Sequence, residues 1–62
     1  MQGNQENKLS YEARQALEMI RQSKYFKGIN KVTMLHAKYL NTKDIQEATK
    51  IIDEMIQVIV NS

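Results

Sequence analysis

The residues with the richest chemical options are His36, Ser23, Thr33 and the carboxylates Asp44, Glu47, Asp53 and Glu54. His36 is the single histidine, and the chain has no cysteine. Nucleophilic catalysis needs a hydroxyl or thiol, a base and a group that orients the base. Ser23 or Thr33 with His36 would supply the first two, and nothing in the sequence places the third. A histidine-based metal site on a helix wants a second ligand three or four residues away. Those positions hold Tyr39 and Leu40. A calcium loop alternates its oxygen ligands around a glycine, and no glycine lies between Asp44 and Glu54. The spacings Glu47–Lys50 and Lys50–Glu54 are those of surface pairs on a helix. The residues therefore point away from catalysis and from any metal or cofactor, and towards function by binding.

Charge is the more informative pattern. The formal net charge is only +2, but it is unevenly spread. Between Ile20 and Thr42 every charged residue is a cation, namely Arg21, Lys24, Lys27, Lys31 and Lys38, with Tyr25, Phe26 and Tyr39 among them. From Lys43 onward, Lys43 and Lys50 face four acids. Cations interleaved with aromatic rings are what a phosphate backbone and its bases would use. The expected nucleic-acid surface is thus Arg21, Lys24, Lys27, Lys31 and Lys38, with Tyr25 and Tyr39 available for stacking. A helix-turn-helix contact is not expected, because the last helix opens Thr42-Lys43-Asp44-Ile45-Gln46-Glu47 and would turn carboxylates towards phosphates. The same acidic character disfavours a membrane surface, where interfacial helices carry Lys and Arg on the polar face.

The elements that must position these residues are helices. Proline is absent, and glycine occurs only at Gly3 and Gly28, so the turns of a sheet-rich domain have no supply of turn residues. Ser10 is a plausible N-cap with Glu12 in the first turn. Ala13, Ala16, Leu17 and Ile20 then recur at helical spacing. Gly28 would end this helix in the left-handed conformation. Asn30 would cap a second helix carrying Val32, Leu35 and Tyr39 beside Met34, Ala37 and Leu40, apolar nearly all round and so expected between other helices. Asn41 would close it, and Thr42 would cap a third helix.

In that third helix Ile45, Ala48, Ile52, Met55 and Ile59 step by three and four, the pattern of helices packed side by side. Ile51, Ile56, Val58 and Val60 widen the stripe. The expectation is an all-α fold: a three-helix domain with helices over about 10–27, 31–40 and 43–60, behind a mobile polar tail over about residues 1–8. At 62 residues the chain has room for one domain, and so small a core usually needs support. With disulfides excluded, that support would be a partner chain or unusually good helix packing, and Ile52, Met55, Ile56 and Ile59 are the expected interface of a homodimer or of a protein–protein adaptor.

The stretch His36-Ala37, with Thr42-Lys43-Asp44-Ile45-Gln46-Glu47-Ala48-Thr49-Lys50, resembles the junction between the middle and third helices of histone-fold proteins. The Thr-x-Asp-Ile pattern is also similar to one in the helical lid domains of ATPases. The second helix is shorter than a histone's and the third longer, so only the capping pattern is shared. The opening MQGNQENK lacks the apolar core of a signal peptide, Gly3 is not at the myristoylated position, and no apolar run reaches membrane-spanning length. The expected location is the cytoplasm.

Overall fold

The computed structural model describes residues 6–62, so residues 1–5 of the expected tail lie outside the described residues. The chain is all-α. A short 3-10 turn at Glu6–Lys8 leads into helices α1 (Tyr11–Gln22), α2 (Tyr25–Gly28), α3 (Asn30–Asn41) and α4 (Ile45–Val60), with no strand among the described residues. Ser10 starts α1 as its sequence position requires: its Oγ accepts the Ala13 amide at 3.1 Å. Leu9, between that turn and the cap, is only 4% exposed and belongs to the core. One leucine between Lys8 and Ser10 carries no periodicity, which is why the pattern of apolar residues does not reveal it.

The helix expected over residues 10–27 is broken. Ser23 is extended at φ −78° and ψ 147°, its Oγ accepts the Tyr25 amide at 3.0 Å, and its carbonyl accepts the Phe26 amide at 3.1 Å. A serine that offers its hydroxyl to a nearby backbone amide competes with the helix for that donor. Ile29, at φ −118° and ψ 111°, makes a second extended break. The single turn α2 lies between the two, and the Thr33 hydroxyl ties its Phe26 carbonyl to α3 at 2.7 Å.

Four caps differ from expectation. Gly28 is the last residue of α2 rather than a left-handed terminator, and among the described residues no residue has positive φ, which also excludes that role for Asn41. The cap of α3 is Ile29, so Asn30 is already helical. Thr42 closes α3, and α4 is capped by Asp44, whose carboxylate accepts the Gln46 amide at 3.0 Å. Aspartate is at least as good a cap as threonine, and its charge also suits the positive end of α4.

The core consists of Leu9, Ala13, Leu17 and Ile20 from the first part of the chain, Val32 and Tyr39 from α3, and Ala48, Ile51, Ile52 and Met55 from α4. Helix α4 is central, packing on α3 most extensively and on α1 next. The three-residue loop between α3 and α4 makes them antiparallel neighbours. Helix α1 runs in the same direction as α4: Ala13 lies beside Thr49 and Ile52, and Ile20 lies beside Ile56 and Ile59. The chain is closed tightly on itself, with a radius of gyration of 10.8 Å against about 10.6 Å for a globular chain of this length. Helix α3 is not sandwiched. Val32 and Tyr39 are buried, while Met34 and Leu40 are exposed, because only α4 and the α2 corner cover it.

Gly28 offers a direct check on the corner. A methyl group added there would meet nothing within 4 Å, and the backbone conformation is one any residue adopts. Gly28→Ala is therefore expected to stabilise the protein by about 0.4–1 kcal/mol, largely by restricting the unfolded chain. Thermal denaturation followed by circular dichroism should show a melting temperature raised by a few degrees. A lowered one would mean that glycine is needed for its left-handed conformation after all.

Candidate functional site: a basic end and an apolar cleft

The end of the bundle formed by α2, the last turn of α1 and the first turn of α3 carries the cations. Lys24, Lys27 and Lys31 are exposed there, and Lys38 is exposed further along α3. Lys31 and Lys38 are seven residues, or two turns, apart and share a face. Lys24 places its ammonium 5.8 Å from the centre of the Tyr25 ring, a cation–π distance, and Tyr25 itself is exposed.

Two of the seven residues expected to contact nucleic acid are employed elsewhere. Tyr39 is 5% exposed and packs in the core, so its ring has no face to offer a base. Arg21 is half-buried, and its Nε donates to Nε2 of His36 at 3.0 Å. A nitrogen that accepts carries no proton, so the His36 proton in the neutral ring sits on Nδ1. The edge of the ring contact between His36 and Phe26 is near perpendicular, at 4.9 Å and 88°, a favoured aromatic arrangement. His36 also lies 5.9 Å from the Tyr39 ring. It joins α1, α2 and α3 at the corner, a role that nothing in its sequence neighbourhood announces. The hydroxyls of Ser23 and Thr33 are engaged with backbone groups, Ser23 as the acceptor for the Tyr25 amide and Thr33 as a donor to the Phe26 carbonyl.

Among the described residues, no group of three or more His, Asp or Glu side chains converges as a metal site would require. Asp44 is used as a cap, and Glu47, Asp53 and Glu54 are exposed. No helix among the described residues is long and apolar enough to cross a membrane.

The second surface is a cleft between α1 and α4. Of the four residues expected at a partner interface, Ile52 and Met55 are 1% and 0% exposed and lie inside the protein's own core. Ile56 and Ile59 remain partly accessible. They line a cavity of about 310 Å³ together with Ala16, Met19, Ile20 and Val60, closed at one end by Ser23 and Tyr25. Met19 and Val60 are 69% and 70% exposed on its rims. No charged side chain lines this stretch. The cleft continues towards the start of α1, past Ala16 and Ile56, into a part lined by Glu12, Thr49 and Asp53. Ala16, Met19 and Ile20 contribute half of this surface, and the α1 pattern marked Ala16 and Ile20 only as core; their second role depends on where α4 ends up.

The fold and its surfaces define a small all-α domain with a lysine-rich end and an apolar interhelical cleft. No family model matches the chain, and neither a curated protein nor a solved structure matches it.

The corner can be tested by energetic coupling. Arg21→Met keeps most of the side-chain stem, and His36→Phe keeps a ring against Phe26. A double-mutant cycle on urea denaturation should give a coupling of about 0.5–1.5 kcal/mol, the range of one hydrogen bond. A coupling indistinguishable from zero would show that the bond contributes nothing to the closure of the corner.

Proposed function

We propose that this chain is a non-catalytic interaction domain that accommodates an amphipathic helix in the α1–α4 cleft. The observation that carries this reading is the cleft itself: an interhelical groove lined by Ala16, Met19, Ile20, Ile56, Ile59 and Val60 with no charge among the lining residues. Helix-in-groove recognition uses such a surface, with anchors on the incoming helix spaced by three and four residues. A small-molecule site of similar volume would place several polar groups to orient its ligand. Here only Ser23 and Tyr25 provide any, and the Ser23 oxygen is already engaged by the Tyr25 amide. Side chains as exposed and apolar as Met19 and Val60, both lining one cleft, are characteristic of an interaction surface. Of Ile52, Met55, Ile56 and Ile59, the cleft uses Ile56 and Ile59, joined by residues of α1. Partner binding of this kind fits a protein of the cytoplasm.

The test compares two exposed methionines. A photo-crosslinking amino acid at position 19, in the cleft, should give a covalent adduct with a protein partner when the chain is expressed in its own cell. The same group at position 34, on the far side of α3 and equally exposed, should give none. Absence of an adduct at position 19, or equal yields at the two positions, would overturn the reading.

A second reading is favoured by the exposure of Lys24, Lys27, Lys31 and Lys38 together, with no acid between Glu18 and Asp44. It is regulatory contact with nucleic acid through the basic end. Its affinity would fall steeply with salt, because each neutralised phosphate releases a condensed counterion. Fluorescence anisotropy with labelled single- and double-stranded oligonucleotides should then show a logarithmic salt slope of about −3 to −4 for four lysine contacts. Lys27→Glu with Lys31→Glu, which spares the cleft, should at least halve that slope. No binding at low salt would leave the lysines as a solvated surface.

A further inference from the structure

We infer that the helix seated in the cleft is basic at one end, with a lysine or arginine two turns from its apolar anchors held between Glu12 and Asp53. This inference rests on the cleft being a helix-binding surface and adds the charge of its occupant. What carries it is a change of chemistry along both walls. Ala16 and Ile56 line the uncharged and the acidic parts alike. Beyond them on one side lie Met19 and Val60, exposed and uncharged. On the other lie Glu12 from α1 and Asp53 from α4, one carboxylate on each wall, with no lysine or arginine among the described residues that line that part.

Because α1 and α4 run in the same direction, the two walls change in the same sense. Glu12 precedes Met19 by seven residues, and Asp53 precedes Val60 by seven. Seven residues are two turns of helix, about 10 Å at the helical rise. Each acid therefore stands on the same face as the apolar rim residue that follows it. Among the described residues no hydrogen bond or ion pair engages either carboxylate. The two hydroxyls of that part are used internally, Ser10 accepting the Ala13 amide and Thr49 donating to the Ile45 carbonyl. Glu12 suits the positive end of α1, but Asp53 lies in the middle of α4, where no helix end accounts for a carboxylate. Like charges on facing walls repel, and a cation between them turns that repulsion into attraction. A helix lying along the cleft, with apolar anchors against Met19 and Val60, brings its residue seven places away to the level of the acids. A lysine or arginine there is complementary, and an acid there is rejected.

The test uses the full chain and a displayed library of alanine-rich helical peptides with leucine anchors at helical spacing. The positions two turns before and after the anchors are randomised. Selection on wild type should yield binders that Met19→Arg abolishes, since Met19 is exposed on the cleft rim and outside the core. Those binders should carry Lys or Arg at one of the randomised positions, and not Asp or Glu. For a selected peptide, Glu12→Gln with Asp53→Asn should raise the dissociation constant about three- to tenfold in fluorescence anisotropy, and high salt should shrink the difference. Glu12→Lys with Asp53→Lys should instead prefer the same peptide with glutamate in place of its cation. Circular dichroism should show each variant as helical as wild type, because both carboxylates are exposed. Met19-dependent binders with no preference for a cation overturn the inference and leave the helix-binding reading intact, as does a preference that survives loss of both carboxylates. A library without any Met19-dependent binder overturns the inference too, and the adduct at position 19 then decides the helix-binding reading alone.

Discussion

Everything in this fold follows from the need to cover α4. Its apolar surface extends over Ala48, Ile51, Ile52 and Met55, all buried, and then over Ile45, Ile56, Val58 and Ile59, which are only partly so. Burial of one such side chain is worth about 1.5–3 kcal/mol, so α4 is the largest source of apolar stabilisation in the chain. Only α1 and α3 are long enough to lie along it. Two helices of twelve residues each cover one side of a sixteen-residue helix well and leave the other side open. The open side meets α1 at the cleft, so the apolar groove is the remainder of the packing problem that holds the protein together.

The corner at residues 23–29 determines where the two covering helices lie. Had α1 continued to Lys27, Phe26 would have been carried along the α1 axis, away from α3. The extended backbone at Ser23 turns the chain, and that at Ile29 turns it again. Phe26 then meets His36 edge-on, and Arg21 reaches the same imidazole from the end of α1. This contact ties Arg21 to the corner beside the exposed Lys24, Lys27 and Lys31 at the end of the bundle. The charge distribution is thus a consequence of the corner as much as of composition. With no acid in the sequence between Glu18 and Asp44, the lysines gathered there have no carboxylate from their own segment among them.

Ser10 and the α4 stripe were legible in the sequence because capping and helical periodicity are local signals, decided within four residues. The same is true of the all-α class, which the lack of turn residues already implies. Other features depended on competition between local and distant groups. Ser23 lies inside a stretch whose composition suits a helix, yet its hydroxyl accepts the Tyr25 amide, and the turned chain sets Phe26 against His36. Leu9 stands outside any periodic run, and its burial depends on the bundle already being present. Tyr39 lies among cations in the sequence, which made it a stacking candidate, yet its helical position shares the buried face of Val32, seven residues earlier. Two turns of helix outweighed proximity in the chain.

The placement of the cleft shows why a wide apolar stripe cannot by itself identify a partner surface. At about 100° per residue, Met55 and Ile51 lie about 60° and 100° from Ile52 on one side of α4, while Ile56 and Val60 lie about 40° and 80° on the other. Apolar residues lie on both edges, with Thr49 and Asp53 interrupting the Ile56 side, and the width of the stripe alone does not say how far the chain itself will cover each edge. The short α3–α4 loop settles that for α3, which lies antiparallel on the Ile51 and Met55 side. Helix α1 must return along the remaining side in the same direction as α4, and it ends at Gln22, before the last turns of α4 are fully covered. Ile52 and Met55 consequently fall inside, whereas Ile56, Ile59 and Val60 border the opening. The residues of a binding surface on so small a domain are those that topology leaves over, and they become identifiable only once the path of the chain is known.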